Sequence, residues 1–201
     1  MKTYAQKSRE YYNKLANGYN DSLEALYTLR FKRMLLDEIV IESERNSLLD
    51  VACGNGSLLK MLSAKYRLKG YGIDISEKMI DSARSMYPEF QFDVSSCEET
   101  SFQDEAFDAI TVSAAYHHFP DVKGFAREAY RLLKPEGRLY IAEIYFSPLL
   151  RTLLNPFVPL SKAGDVKFYA PKEIEATFKN AGFQTNGFKR TGQVQLHIFR
   201  K

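Results

Sequence analysis

The feature that most constrains this chain is the alternation of two periods between residues 47 and 143. Short apolar runs of strand length recur there, separated by longer stretches with apolar residues on helical spacing. Ser47–Ala52 reads SLLDVA and leads through a glycine turn into a helix carrying Leu58, Leu59, Met61 and Leu62. Tyr71–Asp74 predicts a second strand. Ser76 stands where a helix N-cap accepts a backbone N–H, and Met79, Ile80, Ala83, Met86 and Tyr87 share one face of the helix that Pro88 ends. Phe90–Val94 and Phe107–Ser113 predict strands three and four. A helix between Asp121 and Lys134 carries Val122, Phe125, Ala126, Ala129, Tyr130 and Leu133, and Pro135 and Gly137 then turn the chain into a fifth strand, Arg138–Glu143. Strands joined through crossover helices run parallel and are covered on both faces. The pattern is a doubly wound α/β domain.

Both flanks depart from the alternation. Residues 1–45 read as a helical cap, with Leu23, Leu26, Tyr27, Phe31, Met34 and Leu35 forming one apolar stripe. Residues 145–170 hold three prolines and a glycine among Leu, Phe and Tyr, which argues against regular structure throughout and predicts a lid or substrate-side insertion. A helix follows at Pro171–Asn180, with Pro171 in its first turn and Gly182 just past its end. Phe183–Lys189 and Val194–Arg200 read as strands, and the linker between them is too short for a crossover, so they pair antiparallel. The expectation is one domain over residues 1–201: a seven-stranded, mostly parallel sheet closed by an antiparallel hairpin.

Composition excludes some function classes. With 28 Lys and Arg against 25 Asp and Glu, the net charge of +3 is too mild to suggest a nucleic-acid partner. No apolar run approaches the length of a membrane span, and no signal peptide is present, so membrane insertion is not expected. Cys53 and Cys97 have neither a disulfide framework nor metal-ligand spacing, so no metal site is expected and the thiols suit a reducing cytoplasm.

In an open α/β sheet, ligands bind outside the carboxyl ends of the strands, at the switch point beside the first strand. The residues there are Asp50-Val51-Ala52-Cys53-Gly54-Asn55-Gly56. Gly54 and Gly56 permit a tight turn and close approach of a ligand, although a plain strand-to-helix turn has the same glycines. A dinucleotide fingerprint wants a small residue three positions after the second glycine, and Leu59 stands there. Asp50 would repel a pyrophosphate but suits a ligand with an ammonium and a sulfonium. Asp74, at the end of strand two, is placed to accept hydrogen bonds from ribose hydroxyls.

LLDVACGNG, YGIDIS, the Cys97-Glu98-Glu99 region, FDAITVSAAYHHFPD and RLLKPEGRLYIAE, in that order, resemble the class I S-adenosylmethionine-dependent methyltransferases. The similarity is greatest to the small-molecule branch that includes the ubiquinone/menaquinone biosynthesis methyltransferases. The resemblance implies that Asp50 and the Ala52–Gly56 turn, with Cys53 and Gly54, hold the methionine portion of the cofactor. It also implies that Asp74 binds the ribose and that Ile75 and Met79 lie against adenine. Ser96 and Cys97 stand where the family has Asp and a small residue contacting the adenine edge, so Ser96 offers a weaker, neutral contact. Ala52 replaces the family's first glycine, which requires an unstrained backbone there. Ser113 offers its carbonyl to the cofactor's ammonium, and Tyr12 and Tyr19 resemble aromatics that fold over the cofactor.

Displacement from a sulfonium leaves the protein mainly to align the reactants, with a general base needed only where the acceptor must lose a proton. His117 and His118 follow strand four at the edge where such a base would sit, or serve a structural role there. Tyr116, Tyr145 and Tyr169 are candidates for the acceptor side, which residues 145–170 could wall off or equally supply with core packing or a dimer contact. The expected partner is a small-molecule methyl acceptor, bound by a monomer or homodimer. An RNA methyltransferase, a nicotinamide oxidoreductase and a catalytically silent cofactor-binding module are the rivals.

Overall fold

The computed structural model describes residues 2–42 and 46–201. Five strands run parallel: β1 (Ser47–Val51), β2 (Lys69–Asp74), β3 (Gln91–Val94), β4 (Phe107–Ser113) and β5 (Leu133–Ile144). Two more, β6 (Gln184–Thr191) and β7 (Val194–Arg200), pair antiparallel with each other, and β7 pairs antiparallel with β5. The order β3-β2-β1-β4-β5-β7-β6 makes one seven-stranded sheet, as the alternation and the short final linker predict. Leu48, Leu49, Asp50 and Val51 are all buried, because β1 is central and covered on both faces.

Helices α3 (Ser57–Ser63), α4 (Glu77–Met86) and α5 (Val122–Leu132) join successive strands, and α7 (Pro171–Asn180) precedes the hairpin. One core packs Phe125, Ala129, Ile174 and Phe178 of α5 and α7 against Leu49, Ile110 and Phe199 of the sheet. The other packs Phe31 and Leu35 with Leu58, Leu62 and Ile80 against Leu48, Ala142 and Leu196. The Ser76 side chain accepts from Met79 N at 3.2 Å, the cap expected for α4.

The first described residues form α1 (Tyr4–Leu15), a 3-10 turn at Ala16–Asp21 and α2 (Leu23–Glu38); the remaining expectation for the cap, over residues 43–45, lies outside the described residues. This segment is fastened over the sheet's carboxyl edge by polar contacts. Ser76 Oγ and Lys78 N donate to Asn13 Oδ1 at 2.8 and 3.1 Å, and Asn55 Nδ2 donates to Asn20 Oδ1 at 2.6 Å.

Three sequence expectations are corrected. The apolar stripe of α2 splits: Phe31, Met34 and Leu35 enter the core, but Leu23, Leu26 and Tyr27 in the first turns stay exposed, because the core contacts of α2 fall on its later turns. Residues 145–170 hold more regular structure than their prolines suggest, since Ser147 caps α6 (Pro148–Leu154) and Pro148 takes its first position. The fifth strand starts at Leu133 instead of Arg138, with a register shift at the edge of β4. That shift absorbs Pro135 and Glu136, the latter at φ 68°.

Candidate active site

A cavity opens at the carboxyl ends of β1, β2 and β4, where the strand order reverses. Tyr12, Tyr19, Asp50, Ala52, Cys53, Gly54, Asp74, Ile75, Met79, Ser96, Cys97 and Ser113 all line it. Gly56 does not. It opens α3 at φ 78°, and a Cβ there would stand 2.7 Å from Phe92 Cζ, so its smallness serves the turn and its packing.

Asp50 lies at the end of a buried strand, 2% exposed, with Oδ1 accepting from Thr111 Oγ1 at 2.8 Å. Burial pushes its carboxyl up to about 7, with the Thr111 hydroxyl and the Lys32 charge acting against the rise. Such a group is poised to ionise when a cation arrives beside it. Asp74 is arranged differently. Its two oxygens accept from Gly54 N and Ser76 N, each at 2.9 Å, so backbone N–H groups compensate part of the burial that raises its pKa. Gly54, at φ 53°, thereby ties the first turn to the end of β2.

Ala52 overturns the expectation of an unstrained backbone. It sits at φ 55°, in the left-handed region that glycine occupies freely and alanine does not. Ser96 Oγ accepts from Glu98 N at 3.3 Å, a local turn that leaves its proton free to donate. Besides His118 Nδ1, two polar atoms of cavity-lining residues, Ser113 Oγ and Glu98 Oε1, are buried without a hydrogen-bond partner among the described residues. Buried polar atoms are rarely left so, and both therefore face a place where a polar ligand fits.

The two histidines separate. His118 lines the cavity, with Nε2 3.2 Å from Tyr12 Oη. His117 turns inward: Nδ1 is 2.8 Å from Glu143 Oε1, and the His117 backbone N donates to Glu143 Oε2 at 3.2 Å. Burial is the largest influence on His117 and would lower its pKa, but the charge and hydrogen bond of Glu143 together with the charge of Asp165 outweigh it, and the net direction is up. For His118 burial and the neighbouring His117 prevail, and the direction is down. Asp165 meets both rings, 3.0 Å from His118 Nδ1 and 3.5 Å from His117 Nε2.

The tyrosines proposed for the acceptor side are not brought into the cavity wall. Tyr116 and Tyr169 are core residues, their ring centroids 4.9 Å apart, because the apolar faces of the 3-10 turn after β4 and of the loop before α7 meet each other. Tyr145 lies under the guanidinium of Arg190 at 4.6 Å, away from the cavity lining. Sequence reasoning missed Lys32, Thr28, Thr111, Glu98, Glu143 and Asp165. Lys32 and Thr28 lie on α2 and reach the cavity because that helix packs back against β4, β5 and β7 of the sheet. A signal existed for Glu143, a carboxylate at the end of an otherwise apolar strand.

Comparison with known proteins agrees with this geometry. Residues 49–141 match the family model described as a methyltransferase domain. The chain is 31% identical over 223 residues to the ubiquinone/menaquinone biosynthesis C-methyltransferase UbiE of Rickettsia bellii, covering 92% of this chain and 89% of that protein. It is 30% identical over 172 residues to the demethylmenaquinone methyltransferase of Thermotoga maritima, covering 74% and 75%. In fold it is similar to the putative methyltransferase solved in complex with the Haloferax volcanii Trm112 activator, with a TM-score of 0.83 at 17% identity over 94% of this chain and 96% of that one. Buried carboxylates at the ends of β1 and β2, the seven-stranded order and these matches converge on one assignment: the chain is an S-adenosylmethionine-dependent methyltransferase of class I, in the family that includes the ubiquinone/menaquinone biosynthesis C-methyltransferases.

Proposed function

We propose that the methyl acceptor is a small molecule and that the cavity holds the cofactor through residues this chain supplies on three strand ends. The observation that carries this reading is the buried, incompletely ionised Asp50 in the wall of a cavity whose other fixed carboxylate is Asp74. Two carboxylates disfavour a phosphate-bearing ligand and favour one with an ammonium, a sulfonium and ribose hydroxyls. When bound, S-adenosylmethionine supplies an electrophilic methyl on sulfur, and its displacement needs no protonated leaving group.

The protein's own work is then positional. Asp50 and Ser113 take the ammonium end, and Asp74, already locked by two backbone N–H groups, keeps lone pairs for the ribose hydroxyls. Ile75 and Met79 supply the apolar bed for adenine, with Glu98 and Ser96 at its polar edge. Glu98 answers the weakness of Ser96 in the family's usual Asp position, since its buried oxygen Oε1 has no hydrogen-bond partner among the described residues. Tyr12 and Tyr19 cover the site from the N-terminal helices and exclude water. Of the two histidines, an acceptor-side role belongs to His118, and His117 braces the turn through Glu143.

The exposed Leu149, Leu153, Phe157 and Leu160 of residues 145–170 support an apolar acceptor and the role of this segment as a lid. No helix among the described residues is long and apolar enough to cross a membrane. The free thiols of Cys53 and Cys97 support a cytoplasmic setting.

Titration by calorimetry with S-adenosylmethionine, its demethylated product and NAD tests the cofactor site, with Asp74→Ala as control. Micromolar binding of the first two, weakened in the control and absent for NAD, is expected. Methyl transfer to apolar quinols but not to polar amines is expected in an acceptor panel, and reaction of the amines alone would overturn the apolar acceptor.

A further inference from the structure

Beside the cavity that His118 lines, three electron-pair donors converge. His117 Nδ1 is 2.8 Å from Glu143 Oε1. A carboxylate oxygen that accepts from Nδ1 fixes a proton there, so the neutral ring presents its lone pair at Nε2. That lone pair lies 3.5 Å from Asp165 Oδ1. His118 Nδ1 lies 3.0 Å from the same oxygen, yet it is a buried nitrogen without an aligned hydrogen-bond partner. The other ring nitrogen of His118 is taken up by Tyr12 Oη at 3.2 Å. Two imidazole nitrogens and a carboxylate oxygen thus converge within 4.8 Å of one another.

The convergence is built. Asp165 is carried by a loop that Val166 N pins to the His117 carbonyl at 2.8 Å. Gly164 takes φ 79° and passes so close to α1 that a Cβ would stand 2.5 Å from Tyr4 O and 2.7 Å from Ser8 N. A residue that only glycine satisfies therefore sets where the Asp165 carboxylate stands. Both imidazoles have their second nitrogen occupied, one by a carboxylate and one by a phenol, which is the outer hydrogen bonding that orients histidine ligands.

We propose that His117 Nε2, His118 Nδ1 and the Asp165 carboxylate bind a divalent transition-metal ion, with Zn2+ as the first candidate. Two ligand atoms held about 2.1 Å from one ion at tetrahedral angles lie about 3.4 Å apart, close to the 3.5 and 3.0 Å that separate Asp165 Oδ1 from the two ring nitrogens. Two imidazoles and one carboxylate form a mixed nitrogen and oxygen set that suits first-row divalent ions and leaves coordination positions open. Because His118 lines the cavity, an open position there is suited to water or to an oxygen of the methyl acceptor. That last use rests on the acceptor reading above; metal binding itself does not. With Nδ1 on the metal, His118 Nε2 carries its proton and donates to Tyr12 Oη, so His118 then positions and does not act as a base.

The test uses the tag-free full chain, stripped with chelator and titrated with Co2+ while its visible d–d absorption is followed. One Co2+ per chain, displaced by Zn2+, is expected. His118→Ala and the isosteric Asp165→Asn are expected to weaken binding at least tenfold, and Glu143→Gln to weaken it about 10–100-fold, as loss of an outer-shell partner does. Absence of stoichiometric binding by the wild type overturns the site, and so does an affinity unchanged in both His118→Ala and Asp165→Asn. Calorimetry of S-adenosylmethionine binding to the stripped wild type reads the cofactor site separately, so failure of the cofactor reading and failure of the metal site are distinguishable.

Discussion

The two walls of the cavity handle buried charge in different ways. On the cofactor side, Asp50 and Asp74 lie at the ends of neighbouring strands, and their hydrogen bonds come from the turns that follow those strands and from β4. In the second wall, His118 and Tyr12 line the cavity and Asp165 supports His118 from outside the lining; they come from a 3-10 turn, from α1 and from a loop far along the chain, and hold one another by side chains. Backbone N–H groups are fixed once the strand and turn exist. Side chains that lean on each other stay in place only while separate segments remain docked. The cofactor wall should therefore survive damage elsewhere, and the second wall should be sensitive to any change in how α1 and residues 161–169 meet.

The largest expected effect concerns Asp50. Its folded pKa, raised to about 7 against 3.8 for a freely solvated Asp carboxyl, means that the folded chain holds this proton more tightly than the unfolded chain. The contribution is therefore neutral below the unfolded pKa, and stability falls as pH rises from about 4 to about 7, by about 4 kcal/mol at 1.36 kcal/mol per unit. Asp50→Asn should flatten that part of the profile, measured as the difference from wild type in denaturant unfolding without cofactor. Binding the cofactor's ammonium should also expel a proton from Asp50 near pH 6, seen as a buffer-dependent heat. Equal profiles for wild type and variant would remove Asp50 as the charge-responsive group of this wall.

Gly164→Ala attacks the second wall. The left-handed conformation and the approach to Tyr4 O and Ser8 N together predict a loss of about 3 kcal/mol, read as a lower thermal midpoint. If the walls are as separate as their construction suggests, cofactor affinity in the folded variant should change less than threefold. Asp74→Ala makes the opposite cut: removing charged hydrogen bonds should weaken cofactor binding about 10–100-fold by calorimetry, corresponding to about 1.5–3 kcal/mol. The smallest effect is expected from Ala52→Gly, which relieves the φ of 55° and should stabilise the chain by about 1 kcal/mol in chemical denaturation. A destabilised variant would mean that the entropy lost by glycine outweighs the strain relieved.

Much of the cofactor wall was legible beforehand because its residues are neighbours in sequence. A strand ending in Asp, two glycines and a helix imply the turn, and YGIDIS puts Asp74 at the end of the adjacent strand. Twelve of the thirteen cofactor-side residues named from sequence line the cavity, and Gly56 lies just behind it in the same turn. The acceptor-side expectations fared differently. Tyr116 and Tyr169 resemble pocket aromatics in composition, yet apolar rings at the junction of two loops gain more from burying each other than from lining an opening. Leu23 and Leu26 have the spacing of a core stripe but stay exposed, since the core contacts of α2 fall on its later turns.

By itself the sequence determined the layer order, the parallel sheet with its closing hairpin, and the carboxylates at the ends of β1 and β2. These follow from period, turn residues and the handedness of crossovers, which act over stretches shorter than one strand-helix unit. The tertiary structure alone decided that Lys32 faces Asp50, that Glu143 turns His117 inward, and that Asp165 reaches both histidines. Those meetings depend on how α1, α2 and residues 145–170 dock. That docking is a balance of buried area and polar contact between distant segments, and local pattern carries no record of it.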